Sequence, residues 1–188
     1  MYDIPHPIPY QGSKRKLAPL ILQFLPGKVD TLFEPFCGSA ALSLAAARAG
    51  LARSIHLNDS LDSLAELWTR IIDNPHALAA QYEVLWHGQS GDPRGFYDQV
   101  RHTFNRDRDP AGLLFLLARC VKNAVRFNAA GEFNQSPDNR RSGTRPERMR
   151  KNIVGASLLL KGRTRVSSGD HLDALESATP SDLVYMDP

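Results

Sequence analysis

Four short stretches carry the residue types that a small-molecule pocket needs. Tyr10-Gln11-Gly12-Ser13-Lys14 sets an aromatic and a lysine around a turn. In Glu34-Pro35-Phe36-Cys37-Gly38-Ser39-Ala40, Gly38 and Ser39 carry so little side chain that a ligand can approach the backbone. Asn58-Asp59 places an acid 21 positions after Gly38. That is close to the spacing of roughly 20 at which dinucleotide-type folds set a carboxylate for ribose hydroxyls. Val184-Tyr185-Met186-Asp187-Pro188 ends an apolar run on an acid. Each stretch also has a plainer reading. A small-residue turn is ordinary packing in an α/β core, Asp59 is a natural helix cap, and Lys14-Arg15-Lys16 is a solvated helix start.

The elements that must hold these residues follow from periodicity. Pro35 ends a short buried strand, because proline cannot donate to a central ladder. Strong helix formers then run from Ala40 to Ala49, where Gly50 stops them. A strand, a tight turn and a helix start make a nucleotide-type pocket at a strand's carboxyl end. Upstream, Ser13 reads as the N-cap of a helix whose face is Leu17, Leu20, Ile21 and Phe24, broken at Pro26-Gly27. Residues 54–59 read as a second strand. Between 60 and 125 four helices follow in succession, three introduced by Pro75, Pro93 and Pro110, the last expected over 112–125. A polar loop, 126–145, leads to an arginine-dense segment (Arg140, Arg141, Arg145, Arg148, Arg150) and a helix over 146–160. Strand 164–167, a turn at Gly169-Asp170, helix 171–177 and strand 182–186 restore the α/β pattern. The class is therefore α/β, with 1–59 and 161–188 forming a core and 60–160 inserted into it.

Composition narrows the partners. The 188 residues are 42% hydrophobic and 23% charged, as in an ordinary globular domain. A net charge of +3 and a pI of about 9.0, with arginines clustered, suit a polyanion partner. Cys37 and Cys120 form neither a disulfide framework nor a zinc spacing, which fits a reducing cytoplasm. The six histidines show no metal spacing, so no metal is expected. No apolar run approaches a membrane span, and residues 1–10 lack the apolar stretch of a signal peptide.

Taken in order, the motifs resemble the DNA adenine-N6 methyltransferases, in the Dam-like group that includes the bacterial GATC-methylating enzymes. The matching residues are Tyr10-x-Gly12-Ser13-Lys14, Glu34-Pro35-Phe36-x-Gly38-Ser39, Asn58-Asp59, Arg126-Phe127-Asn128-x-x-Gly131-Glu132-Phe133-Asn134, and Asp187-Pro188. They span nearly the whole chain. The resemblance implies a Rossmann-like class I methyltransferase core, incomplete at its C-terminus, with an inserted helical target-recognition subdomain. It implies S-adenosyl-L-methionine as cofactor, double-stranded DNA as substrate, and site-specific methyl transfer to adenine N6.

By the same resemblance Tyr10, Lys14, Phe36, Gly38, Ser39, Asp59, Asp170 and Asp187 face the cofactor, and Asp187 with Pro188 forms the catalytic motif. Asp170 reads equally as the cap of the helix that follows it. Arg126, Asn128 and Asn134 are expected to grip DNA beside a flipped base, and Arg140, Arg141 and Arg145 to contact phosphates. Two departures stand out. The family completes the last motif as Asp-Pro-Pro-Tyr, so a chain ending at Pro188 is expected to be inactive alone, as a fragment or with a second chain completing it. Ala40 stands where the family has glycine. It is expected in the first helical turn, where alanine is harmless, rather than at a positive φ costing roughly 1 kcal/mol. The rival readings are an N4-cytosine or protein glutamine methyltransferase, against which Asp187 argues, and a non-catalytic subunit that binds DNA or the cofactor.

Overall fold

The computed structural model describes residues 4–25 and 27–188. Four parallel strands form one sheet: β1 (Val29–Glu34), β2 (Ala52–Asp59), β3 (Thr164–Ser168) and β4 (Leu183–Val184), in the order β3-β2-β1-β4. Register is set by buried apolar residues: Leu32 pairs with Ile55 on one side and Leu183 on the other, and Asp59 pairs with Ser168. The helices are α1 (Ala18–Ile21), α2 (Ala41–Ala49), α3 (Asp62–Asp73), α4 (Pro75–Gly88), α5 (Pro93–Asp107), α6 (Pro110–Arg119), α7 (Pro146–Leu160) and α8 (His171–Leu175). The α/β class and the alternation around a helical block are as the sequence predicts.

Helix starts follow local chemistry. Proline opens α4, α5, α6 and α7, where its missing N–H has no intrahelical partner to lose. Asp92 and Asp109 accept the Gly95 and Gly112 N–H groups at 2.8 and 3.0 Å. Helix α6 is buried from Ala111 to Arg119 and runs through the middle of the helical block. It stops at Arg119, not near 125, because Cys120 turns extended and Lys122 and Asn123 both take positive φ. Helix α8 and strand β4 are likewise shorter than predicted.

The first helix departs further. Leu17, not Ser13, precedes α1, which is one turn continued by a 3₁₀ turn over Leu22–Phe24. Its predicted apolar face is open: Leu17 and Leu20 are half exposed and Phe24 is 81% exposed. The expected break at Pro26, and the first three residues of the lead-in, lie outside the described residues. Leu32 and Ile55 of the sheet and Trp68, Phe115 and Ile153 of the helices share one continuous apolar core. The 60–160 block is thus set apart by its elements and not by a core of its own. No helix of the described residues is long and apolar enough to cross a membrane.

Candidate active site

Strand β1 has β2 on one side and β4 on the other, so the chain leaves its carboxyl end at a point where strand order reverses. Ligands of open parallel sheets bind at such points. Here a cavity of about 380 Å³ opens between the Tyr10–Lys14 segment, the β1–α2 turn, Asp59 and Asp187.

The turn is held by protein groups on all sides. Asn58 donates its side-chain N–H to the Pro35 carbonyl (3.2 Å), and its own carbonyl accepts the Cys37 N–H (2.8 Å). Asp59 accepts the Gly38 N–H on Oδ2 (3.0 Å) and the Leu61 N–H on Oδ1 (3.1 Å). Buried Trp68 donates from α3 to the Gly38 carbonyl at 2.9 Å. Gly38 has φ +46°, and a Cβ there would lie 3.1 Å from Tyr10 Cε1. The space Gly38 leaves therefore takes the Tyr10 ring, which closes one wall of the cavity. The Ser39 hydroxyl donates to that of Ser13 (2.7 Å), tying the turn to the N-terminal segment. Ser13 does this instead of capping a helix.

Ala40 corrects the expectation for its position. It lies just before α2 at φ +47°, ψ +39°, fully buried, in the left-handed region and not in the helix. An L-residue there costs roughly 1–2 kcal/mol. Ala40 also has no side chain with which to cap α2. Glu34 supplies the acceptor instead: its Oε2 takes the Ser43 N–H at 3.0 Å.

The cavity's charges are arranged in depth. Glu34 is buried, and burial raises its carboxyl to about 7 in spite of the N–H it accepts. Burial also raises Asp59, while the Gly38 and Leu61 N–H groups pull the other way. Burial pushes the Tyr10 phenol up to about 12 and the Cys37 thiol well above its usual range. Nearer solvent, Lys14 Nζ pairs with Asp187 Oδ2 at 2.6 Å, both side chains about one-third exposed. That bond raises the Lys14 ammonium.

Seven of the eight residues expected to face a cofactor line this cavity, with Pro188: Tyr10, Lys14, Phe36, Gly38, Ser39, Asp59 and Asp187. Asp170 lies outside its lining. It accepts the Leu172 N–H (2.8 Å) as the cap of α8, which brings His171 to within 5.2 Å of the Phe36 ring. Three contributors, Glu34, Ser13 and Trp68, are not among the site residues that the sequence predicts. Glu34 was legible as an acid at a strand end. Ser13 and Trp68 were not, since each acts through a single contact 26 or 30 positions away.

The polar loop sorts its predicted residues. Phe127 and Phe133 bridge antiparallel, and Asn128 Oδ1 accepts the Ala130 and Glu132 N–H groups (3.0 and 2.9 Å). Asn128 thus builds the hairpin tip, with Arg126 and Asn134 exposed on its sides. Arg140 grips buried Asp138 with two nitrogens, both at 2.9 Å, which holds that carboxyl down to about 2. Arg141 shares Asp138 (3.2 Å) and donates to the Cys120 carbonyl. Arg145 is exposed at the start of α7.

A family model of the D12 class N6 adenine-specific DNA methyltransferases matches residues 10–188. The chain is 27% identical over 192 residues to the Type II methyltransferase M1.LlaDCHI of Lactococcus lactis subsp. cremoris, covering 95% of this chain and 63% of that protein. It is 28% identical over 188 residues to the DNA N-6-adenine-methyltransferase of Escherichia phage P1, covering 95% of this chain and 23% of that one. With the modification methylase StsI of Streptococcus sanguinis it shares 24% identity over 98% of its own length and 28% of that protein's. The chain therefore spans less than two-thirds of the length of these relatives.

Proposed function

The chain belongs to the D12 class N6 adenine-specific DNA methyltransferase family, and from that membership we propose that it carries the cofactor and DNA sites for methyl transfer from S-adenosyl-L-methionine to adenine N6. The observation that carries the reading is the position of Asp187, at the carboxyl end of β4 and on the wall of the same cavity as Asp59.

The residues present fit the cofactor. A Cβ at Gly38 would lie 3.1 Å from Tyr10 Cε1, so the glycine lets the Tyr10 ring pack against the turn as one wall of the cavity. Each Asp59 oxygen accepts one backbone N–H and retains a lone pair for a ribose hydroxyl. Tyr10 and Phe36 offer aromatic faces to a sulfonium, and Lys14 offers charge to the methionine carboxylate. When bound, S-adenosylmethionine supplies an electrophilic methyl group.

The remaining work falls to the protein. Adenine's amine is a poor nucleophile, because its lone pair is delocalised into the ring. Asp187 accepts an N–H of that amine, draws density to nitrogen and aims the lone pair into the cavity. Lys14 Nζ, 2.6 Å from Asp187 Oδ2, holds that carboxylate at the cavity wall. Positioning completes the step, with no covalent bond to the enzyme. The base reaches Asp187 only outside the duplex, and the Arg126–Asn134 hairpin is the element we assign to gripping DNA beside it. Strands β1 to β4 with α2 form the cofactor half, and 60–160 the target-recognition half.

Two measurements test this. In the 188-residue chain, Asp59→Ala should weaken S-adenosylmethionine binding at least tenfold by calorimetry, with circular dichroism unchanged. In the full natural protein, labelled S-adenosylmethionine and duplex DNA should yield N6-methyladenine by mass spectrometry. Asp187→Ala should lower that yield at least 100-fold, the scale of a lost proton acceptor. N4-methylcytosine as product, or turnover retained in the variant, overturns the reading.

A further inference from the structure

Behind the Tyr10–Lys14 segment, on the side away from the cofactor cavity, lies a second cavity of about 290 Å³. Its walls are the lead-in at Ile4 and Pro9, Arg15, the Asn123 turn, the loop at Arg141–Thr144, and Arg148 with Asn152 of α7. Three arginines line it and no carboxylate does. Arg141 is already steadied by Asp138 and by the Cys120 carbonyl. The side chains of Arg15 and Arg148 have no hydrogen bond or ion pair among the described residues, and both are exposed. The neighbouring Arg150 differs in this, being paired with Glu83 on α4 at 2.7 Å.

We propose that this cavity is a phosphate site and that its ligand is a backbone phosphodiester of the DNA substrate, held by Arg15, Arg148 and Asn152 with Arg141 behind them. The chemistry is that of guanidinium and amide donors converging on one anion. Arg148 and Asn152 stand four apart on α7 and present a charged and a neutral donor on one face. Arg148 lies in the first turn of that 15-residue helix, whose dipole adds to the positive field. The placement suits a strand running past the catalytic cavity. Pro9 and Arg15 bound the basic cavity, the residues between them line the other, and the Gln11 N–H donates to the Asn123 carbonyl at 2.9 Å. One loop thus separates a gripped phosphate from Asp187. Arg15, Arg148 and Asn152 are absent from the motifs that mark the family resemblance. Arg145, expected to contact phosphate, does not line the cavity.

The proposal rests on DNA being the substrate, and its test separates the two. Arg15→Gln, Arg148→Gln and the double variant are compared with wild type by fluorescence anisotropy on an adenine-containing duplex across a salt series. Each arginine lost should lower the slope of log K against log salt by about one, with S-adenosylmethionine binding unchanged. Arg53→Gln, at the amino-terminal end of β2, should leave the slope alone. A second arm follows thermal stability against inorganic phosphate. If phosphate stabilises wild type but not the variants while the DNA slopes stay equal, the cavity serves a free phosphate and the DNA assignment is overturned. If neither arm responds, the site itself is overturned. If wild type binds no DNA while phosphate still stabilises it through Arg15 and Arg148, the substrate reading fails and the phosphate site stands.

Discussion

The turn at the end of β1 and the loop between the hairpin and α7 are both irregular backbone held against a helical block, yet they are held by groups of opposite character. At the turn the charged supports are acceptors, beside the neutral donors Asn58 and Trp68. Glu34 takes the Ser43 N–H, and Asp59 takes those of Gly38 and Leu61. At the loop the supports that reach in from the helical block are donors to carbonyls, while Asp138 within the loop accepts from Arg140 and Arg141. Tyr97 donates to Gln135 (2.8 Å), Gln89 to Ser142 (3.1 Å) and Tyr82 to Thr144 (2.6 Å). Buried Arg119 donates to the carbonyls of Asp138, Arg141 and Pro93. The contrast has a chemical consequence. Carboxyls titrate within the range proteins meet, whereas guanidinium and phenol groups do not. The β1 turn carries a carboxyl, Glu34, raised to about 7, whereas the loop's carboxyl, Asp138, is held down to about 2 by Arg140 and stays ionised over the same range.

The sharpest way to break that contrast is to remove the central donor. Arg119 is 2% exposed, and Arg119→Met leaves two loop carbonyls and that of Pro93 without their charged partner. A loss of about 3 kcal/mol in unfolding free energy is expected by denaturant titration, with little pH dependence. DNA affinity should fall with it, since Arg141 of the proposed phosphate site sits on that loop. Unchanged stability would show that the loop stands without Arg119.

The acceptor side is tested by titration. Glu34 ionises near 4.5 in the unfolded chain and near 7 when folded, so the folded state holds its proton longer. Between those values the unfolded chain binds fewer protons, and stability must fall as pH rises. The loss contributed by this one group is up to about 3 kcal/mol, complete above pH 7. Glu34→Gln should flatten that slope and leave the Arg119→Met deficit untouched. An equally steep fall in the variant would place the titrating group elsewhere.

The difference between the two regions also explains what could be read in advance. Where a residue's role depends on its own strand or helix, the sequence shows it. Pro35 ends β1, Asp59 ends β2, and α7 begins at Pro146 and ends at Leu160 as periodicity predicts. Where the role depends on one distant partner, spacing is silent. Buried Arg119 is one case, since its carbonyl partners Asp138 and Arg141 lie 19 and 22 positions away. Arg15 and Arg148 lie far apart in sequence and line one cavity only because α7 packs beside the N-terminal segment, Gly155 against Pro5. The open face of Leu17, Leu20 and Phe24 failed for the converse reason: helical spacing reports a stripe of apolar residues but not what covers it.

The smallest expected effects come from the turn's two left-handed residues, and they sharpen the contrast within the acceptor region itself. Gly38 and Ala40 have nearly the same φ, +46° and +47°, but different surroundings. Gly38→Ala adds the strain of a left-handed L-residue, roughly 1–2 kcal/mol, and sets a Cβ 3.1 Å from the Tyr10 ring. It should therefore destabilise the fold and weaken cofactor binding together, because Tyr10 must move. Ala40→Gly relieves a similar strain. It also frees the unfolded chain, which costs about 0.4–1 kcal/mol, and exposes nothing but loses one buried methyl worth about 0.8 kcal/mol. These terms offset, so its stability should stay within about 1 kcal/mol of wild type and cofactor binding should be unchanged. Near-cancellation is the physical reason alanine is tolerated in a turn that otherwise demands glycine. A large gain from Ala40→Gly in thermal unfolding would show that the strain at this position is not offset, and a neutral Gly38→Ala would show that Tyr10 does not form the wall assigned to it.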